Sequence, residues 1–236
     1  MKSPLRKRLP RELKSEFGKY LVVFIMMAIT IGFVSGFLVA DGSMLRAYDD
    51  SFQKYNIEDG YFQTKKKLTP AQKEDIEKSD VKVYENFYIE QKLTNGSTIR
   101  FFKNRKEVDK VCLMKGKMPK KSGEIAVDRM YADNNELKVG DTVKSRKKTF
   151  RITGLVALSD YSALFQNNND TMFDSVKFGV AIVTDKDFEA LNQVKLQYNY
   201  AWVYDKKPAT EKKEKKMAED LMEDMADVVT IESFVP

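Results

Sequence analysis

The sequence predicts an α+β protein with one N-terminal transmembrane helix followed by a mixed α/β extracytoplasmic domain. Three observations carry this. Residues 21–40 are free of charge, strand and helix patterns alternate through the rest of the chain, and glycine turns cut residues 113–156 into short segments.

Residues 21–40 read LVVFIMMAITIGFVSGFLVA. Twenty helical residues rise about 30 Å, the thickness of a hydrocarbon core. A soluble core helix of that length is seldom apolar on every face. A cleaved signal peptide is the competing reading, and small residues around Ala40 and Gly42 suit cleavage. The apolar run, however, exceeds the usual h-region of about 7–15 residues, so a retained anchor is favoured. Gly32, Ser35 and Gly36 are spaced for close approach of another helix, although glycine is also simply common in membrane helices; both readings stand.

Seven basic and two acidic groups lie in residues 1–20, and the remainder of the chain carries 34 basic and 33 acidic groups. The pI of about 9.1 therefore describes the tail and not the folded part. A basic block next to an apolar segment points to lipid head groups and to a cytoplasmic N-terminus, and no nucleic-acid partner is expected. Leu9, Leu13 and Phe17 recur every four residues, which makes residues 1–20 a basic amphipathic segment. It either lies on the membrane and docks other subunits, or only fixes orientation. The domain boundaries expected are 1–20 cytoplasmic, 21–40 transmembrane and 41–236 extracytoplasmic.

Within the external part, residues 43–55 place Leu45, Tyr48, Phe52 and Tyr55 at helical spacing, as a stalk helix ended by Gly60, with a strand from Tyr61. Thr69, Pro70 and Gln72 form a helix start with a capping box, running to about Ser79. A long strand is expected over 81–93, a type I′ turn at Asn95-Gly96, and a return strand over 97–102. Residues 113–156 read as strands joined by glycine turns around a small barrel-like sheet, with a short helix over 128–135. Residues 159–175 are a solvated loop; Asn167, Asn168, Asn169 and Asp170 offer oxygen ligands but lack EF-hand spacing. A strand over 177–183, a helix capped by Thr184, a strand over 198–204 and a helix over 208–226 complete the chain. In that last helix Ala218, Leu221, Met222 and Met225 form a core stripe, Glu211–Lys215 is an outer pair, and the balanced charges are a solvated face.

There is no histidine and a single cysteine, Cys112, inside the apolar run Val111-Cys112-Leu113-Met114. A Cys/His zinc site, a Ser-His-Asp triad and an intrachain disulfide are excluded. Cys112 reads as a buried small hydrophobe. No catalytic, cofactor-binding or metal-ligating residue is assigned, no cofactor is expected, and the chain is not read as an enzyme. No Gly-x-x-x-x-Gly-Lys-[Ser/Thr] phosphate loop is present.

Gly116-x-x-Pro119, Gly123-Glu124-Ile125, Leu137-x-Val139-Gly140-Asp141 and Phe150-x-Ile152-x-Gly154-x-Val156 follow one another at family-like spacing. With the basic segment, the membrane helix and the large external domain, this set resembles the FtsX-like, MacB-type permeases of ABC transporters, and it covers most of the chain. Gly116, Gly123, Gly140 and Gly154 are read as turn glycines and Asp141 as hydrogen-bonded within its turn. The resemblance implies a domain of MacB periplasmic-core type, a separate cytoplasmic ABC-type ATPase subunit as partner, and a second permease subunit in a homo- or heterodimer. Members of that family continue into further membrane helices. The sequence reaches Pro236 before one, as expected of a fragment, a split gene or a truncated chain.

The leading functional expectation is therefore a permease subunit, or its N-terminal part, that couples a cytoplasmic ATPase to export or mechanotransmission across the cell membrane. The alternative is a single-pass, membrane-anchored extracellular binding or adaptor protein. An anchored enzyme is a third class, for which no residue spacing selects a catalytic group.

Overall fold

The computed structural model describes residues 12–145, 148–161, 163–167 and 170–236. It falls into two compact units, Met1–Ser51 and Phe52–Pro236. In the first, helix α1 (Phe17–Tyr55) begins, and its residues 17–41 are all exposed. By length and composition α1 is able to cross a membrane. Leu13 and Phe17 are exposed, and Leu9 lies outside the described residues.

The second unit contains two cores on one branched sheet. The first core has the order β1 (Gly60–Thr64), α2 (Pro70–Glu77), β2 (Val81–Glu85), then, after a long insertion, β10 (Leu196–Tyr204), α5 (Glu211–Val228) and β11 (Ile231–Val235). These strands lie in the order β11-β1-β10-β2, with every neighbouring pair antiparallel. That is the split βαβ arrangement of ferredoxin-like domains. Strand alternation explains it. Phe62 of β1 and Tyr200, Trp202 and Tyr204 of β10 point to the helix side, where Ile76 of α2 and Leu221 and Met225 of α5 meet them. Helix α2 starts as the sequence predicts: the Thr69 hydroxyl accepts from Gln72 N–H, the Gln72 side chain accepts from Thr69 N–H, and Pro70 is at the first position. Helix α5 starts at the Thr210 cap, not at Pro208, and buries Ala218, Leu221 and Met225 while Met222 stays 44% exposed. The ion pair that Lys215 makes is with Glu219, at 4.0 Å.

The insertion forms the second core from β3 (Tyr88–Lys92), β4 (Thr98–Lys103), β5 (Cys112–Gly116), β6 (Glu124–Asp128), α3 (Arg129–Asn134), β7 (Thr142–Lys144), β8 (Thr149–Ala157), β9 (Phe178–Val183) and α4 (Asp185–Glu189). The strand path runs β3-β4-β9-β6-β8, with β7 and β5 both on the far edge of β8. A bridge between Leu93 and Ser145, with Thr94 N–H donating to the Lys144 carbonyl at 2.8 Å, joins β7 back to β3. The barrel-like expectation thus describes this lobe, closed at that one bridge. Its interior is filled by Phe101, Phe150, Ile125, Ile152 and their neighbours. Strand β10 is common to both lobes: Leu196 and Gln197 pair with β3, and the rest pairs with β1 and β2.

Several expectations are corrected here. The strand over 81–93 is two strands, broken at Asn86-Phe87, because β2 stays in the ferredoxin-like lobe while β3 turns into the barrel. The Asn95-Gly96 turn is not type I′: only Gly96 has positive φ (87°). Gly96 N–H donates to Leu93 O, and Leu93 N–H to Ser97 O, the type I turn plus glycine bulge. Gly60 does not end α1 but opens β1, where an added Cβ would strike the Trp202 ring. Gly154 is not a turn residue. It sits in β8 opposite Gly116, where a Cβ would come within 2.6 Å of the Lys117 carbonyl. Gly140 does have positive φ (108°), and the Asp141 carboxylate accepts from Lys138 N–H within that turn. Strand β11, paired with β1, forms where the sequence pattern places no element.

Candidate functional site

The sequence assigns no residue to chemistry, and among the described residues no group of three or more His, Cys, Asp or Glu is placed to hold a metal ion. A dense set of polar contacts lies instead around the last turn of α1, within the second unit. The helix stops at Tyr55 because Asn56 adopts φ 48°, a left-handed conformation that asparagine tolerates.

From there the chain is fastened to both lobes. On the barrel side, Lys110 N–H donates to the Tyr55 carbonyl (2.8 Å) and Asp109 N–H to the Asn56 carbonyl (2.9 Å). Asn56 Nδ2 donates to the Glu107 carbonyl (2.8 Å), and Tyr55 OH donates to Cys112 Sγ (3.0 Å). Glu58 N–H donates to Asp109 Oδ1 at 2.9 Å. On the other side, Asp59 N–H donates to the Trp202 carbonyl, Tyr204 N–H donates to Asp59 Oδ2, and Lys207 pairs with Asp59 at 3.0 Å. Orphan carbonyls at the helix end thus find partners in the β4–β5 loop, as a buried helix terminus requires.

Beneath this clamp lies a charged cluster. Arg105 and Asp160 form a buried ion pair at 2.6 Å, with side chains 6% and 8% exposed. Asp109 is fully buried. Burial, with the Asp160 carboxylate adding to it, pushes the Asp109 carboxyl up to about 6 against the pull of Arg105. Burial likewise pushes Glu58 well above the ordinary carboxyl range, reinforced by Asp109 and Asp160. For Arg105, burial opposes the charge, and the Asp160 carboxylate outweighs it, so the guanidinium stays charged. Glu58 Oε2, Asp109 Oδ2, and Arg105 Nε and Nη2 are buried without a hydrogen-bond partner among the described residues. Such a set is costly to bury, which marks it as held in place by the surrounding fold.

A cleft of about 1230 Å³ opens beside the cluster, between the helix-free face of the ferredoxin-like sheet and the barrel. Tyr61, Gln63 and Asn199 form its floor, and Tyr88, Arg100 and Tyr161 its wall. Arg100 braces that wall: Nε and Nη2 donate to Glu90 Oε1 (3.0 and 2.6 Å), Nη1 to Tyr161 OH (2.6 Å), and the guanidinium lies 4.1 Å from the Tyr88 ring centroid. These contacts fix geometry; no nucleophile–base pair occurs among them.

Cys112 is half-buried at the clamp and not enclosed in a core, because β5 is a terminal strand whose start faces Tyr55. The reading of residues 159–175 as a loop holds, apart from a short 3₁₀ turn at Ser159–Tyr161; Asn168 and Asn169 lie outside the described residues. Asn56, Glu58, Arg105, Asp109 and Asp160 were not singled out from the sequence. They lie in three connections, Asn56 and Glu58 before β1, Arg105 and Asp109 between β4 and β5, and Asp160 after β8, with no periodicity or motif to join them.

No protein-family model matches the chain, and no curated protein matches it. Among solved structures it is similar to the periplasmic region of MacB from Actinobacillus actinomycetemcomitans, at 13% identity over 71% of this chain and 83% of that one, with a TM-score of 0.36. It is also similar to the extracellular domain of the ABC-type transporter YknZ from Gram-positive bacteria, at 12% identity over 71% of this chain and 92% of that one, with a TM-score of 0.34.

Proposed function

We propose that this chain is a permease subunit, or the N-terminal part of one, of an FtsX/MacB-like ABC transporter. Residues 21–40 cross the cell membrane with residues 1–20 in the cytoplasm and residues 41–236 outside. A separate cytoplasmic ATPase drives the movement, and a second permease subunit completes the pair.

The observation that supports this reading is the helix end. Helix α1 runs without a break from the apolar segment to Tyr55, and its last turn is tied to both lobes through Asp109 and Asp59. A tethered adaptor needs only a flexible linker after its anchor. A protein that carries displacement from the membrane outward needs a stiff one, joined to a bistable or movable element. The four glycine-centred motifs of residues 116–156 agree with the same assignment.

The test is capture of the full chain from its native membranes in mild detergent. A co-captured subunit carrying Gly-x-x-x-x-Gly-Lys-[Ser/Thr], whose ATP hydrolysis rises when the chain is present in nanodiscs, is the expected result. Capture without any such subunit, or hydrolysis indifferent to the chain, contradicts the reading and favours the anchored adaptor.

A further inference from the structure

Just after α1, three carboxyl groups meet one guanidinium in a closed space. Among the described residues, Arg105 is the only cation in an ion pair with any of Glu58, Asp109 and Asp160, and its partner is Asp160. Asp109 is fully buried, and its side chain meets the Glu58 carboxyl. Glu58 Oε2 and Asp109 Oδ2 are buried without a hydrogen-bond partner among the described residues. Two other titratable groups stand nearby. The Tyr161 hydroxyl accepts from Arg100, and Asp59, on the ferredoxin-like side, is paired with Lys207.

Charge counting fixes the proton content. With every carboxyl ionised, the space would hold three negative charges against one positive. Buried charge without a counter-ion is neutralised by protonation. One proton between Glu58 and Asp109 removes the excess repulsion and turns their contact into a hydrogen bond. Burial, reinforced by Asp109 and Asp160, raises Glu58 well above the ordinary carboxyl range, whereas Asp109 is raised to about 6, so Glu58 keeps the proton. The same groups carry the backbone ties of the helix end. Asp109 Oδ1 accepts from Glu58 N–H, while Asp109 N–H and Lys110 N–H donate to the Asn56 and Tyr55 carbonyls. These ties lie in connections outside the strands, and the buried Val108 beside them belongs to neither hydrophobic core. Glu58 and Asp160 also line the cleft, so water reaches the cluster once the connections part. Opening here is therefore local, and the strands need not separate.

We propose that this cluster is a proton-dependent latch. While one proton is shared between Glu58 and Asp109, the residues that follow α1 are held to the barrel lobe; loss of that proton releases them. Released, Glu58 meets water and ionises near the ordinary value of about 4.3. Closed, it keeps its proton to higher pH. The closed form is therefore favoured at low pH and lost as pH rises. With one proton released on opening, the open fraction grows about tenfold per pH unit from about pH 6 upward, until Glu58 ionises in the closed form as well. The latch concerns only how the chain holds its own helix end, so it goes beyond the permease reading and does not depend on it.

The test is amide hydrogen exchange of the full chain in nanodiscs at several pH values from about 6 upward, with protection taken relative to the unfolded chain at the same pH. The segments that contain the Glu58, Asp109 and Lys110 amides should lose protection by about tenfold per pH unit, while β4 and β9 keep theirs. Glu58→Gln is neutral at every pH, so the clamp should stay protected throughout. Asp109→Asn keeps the acceptor oxygen and removes one negative charge, so it should flatten the loss as well. Protection of β4 and β9 shows whether each variant is folded, and if Glu58→Gln is not, Asp109→Asn decides. Clamp protection that is independent of pH in the wild-type chain overturns the latch. So does an equal loss in the folded variant, or a loss shared by β4 and β9, which would make the opening global. No ATPase enters the measurement, so its outcome leaves the permease reading to the capture experiment.

Discussion

The Asp109 carboxylate accepts the backbone N–H of Glu58 at 2.9 Å, and so binds the first residues after the long helix to the barrel lobe. A carboxylate in this position is effective only while the barrel holds it there, because it is fully buried and its second oxygen has no partner among the described residues.

That burial sets a pH dependence. Burial raises the Asp109 carboxyl to about 6 and raises Glu58 as well, so the folded state holds protons that the unfolded chain has released. Stability should therefore be greatest near the ordinary carboxyl range and fall as pH rises from about 4 through about 6, with Glu58 extending the fall upward. Asp109→Asn keeps an acceptor oxygen and removes the charge. It should raise stability at pH 7.5 by on the order of 1–2 kcal/mol and flatten the slope between about pH 4 and 6. Thermal unfolding of the full chain, followed by the fluorescence of Trp202, the sole tryptophan, measures it. An unchanged slope would show that Asp109 ionises freely in the folded state.

The Arg105–Asp160 pair should behave as a buried pair. Arg105→Met leaves the Asp160 carboxylate unpaired and should cost about 3–5 kcal/mol. Arg105→Met with Asp160→Leu should recover most of that loss, since no isolated charge remains. If the double variant is as unstable as the single one, packing of Arg105 over the Phe102 ring outweighs the pairing.

Gly140 and Gly154 should differ in what they tolerate. Gly140 has positive φ and open space around it, so Gly140→Asn should cost less than Gly140→Val, for which left-handed backbone strain is about 1–3 kcal/mol. Gly154 faces the Lys117 carbonyl in an extended strand, so even Gly154→Ala should lose about 1–3 kcal/mol by overpacking. Equal melting temperatures for Gly154→Ala and wild type would remove the close approach as its reason.

Leu9, Leu13 and Phe17 replaced together by serine leave the basic charge, and hence the topology signal, intact. Membrane insertion should be kept while co-capture of the ATPase falls. If both stay at wild-type levels, the segment only orients the chain.

How far the sequence revealed these features follows from how local each one is. The Thr69–Gln72 capping box, the Thr184 cap and the strands around Gly116 to Val156 are set by neighbours within a few residues, and they were legible. The break at Asn86-Phe87 was not, because β2 and β3 are both apolar enough to read as one strand. What separates them is β10, more than a hundred residues away, whose first residues pair with one and whose later residues pair with the other. The ferredoxin-like order depends on the same distant strand. Gly154 looked like a turn glycine since its requirement comes from the Lys117 carbonyl across the ladder. The clamp was invisible for the same reason: Asp109 and Glu58 meet only after both lobes have formed.

The central claim is that displacement of the membrane helix reaches the external domain through a stiff helix end. It is tested most directly by inserting Gly-Ser-Gly-Ser-Gly after Gly42 in the full permease and measuring ATP hydrolysis by the co-captured subunit in nanodiscs. The linker is flexible, so movement of residues 21–40 should no longer reach the clamp. The account predicts that capture is retained while stimulation of hydrolysis by the chain is lost. Retained stimulation with the insert in place would contradict it.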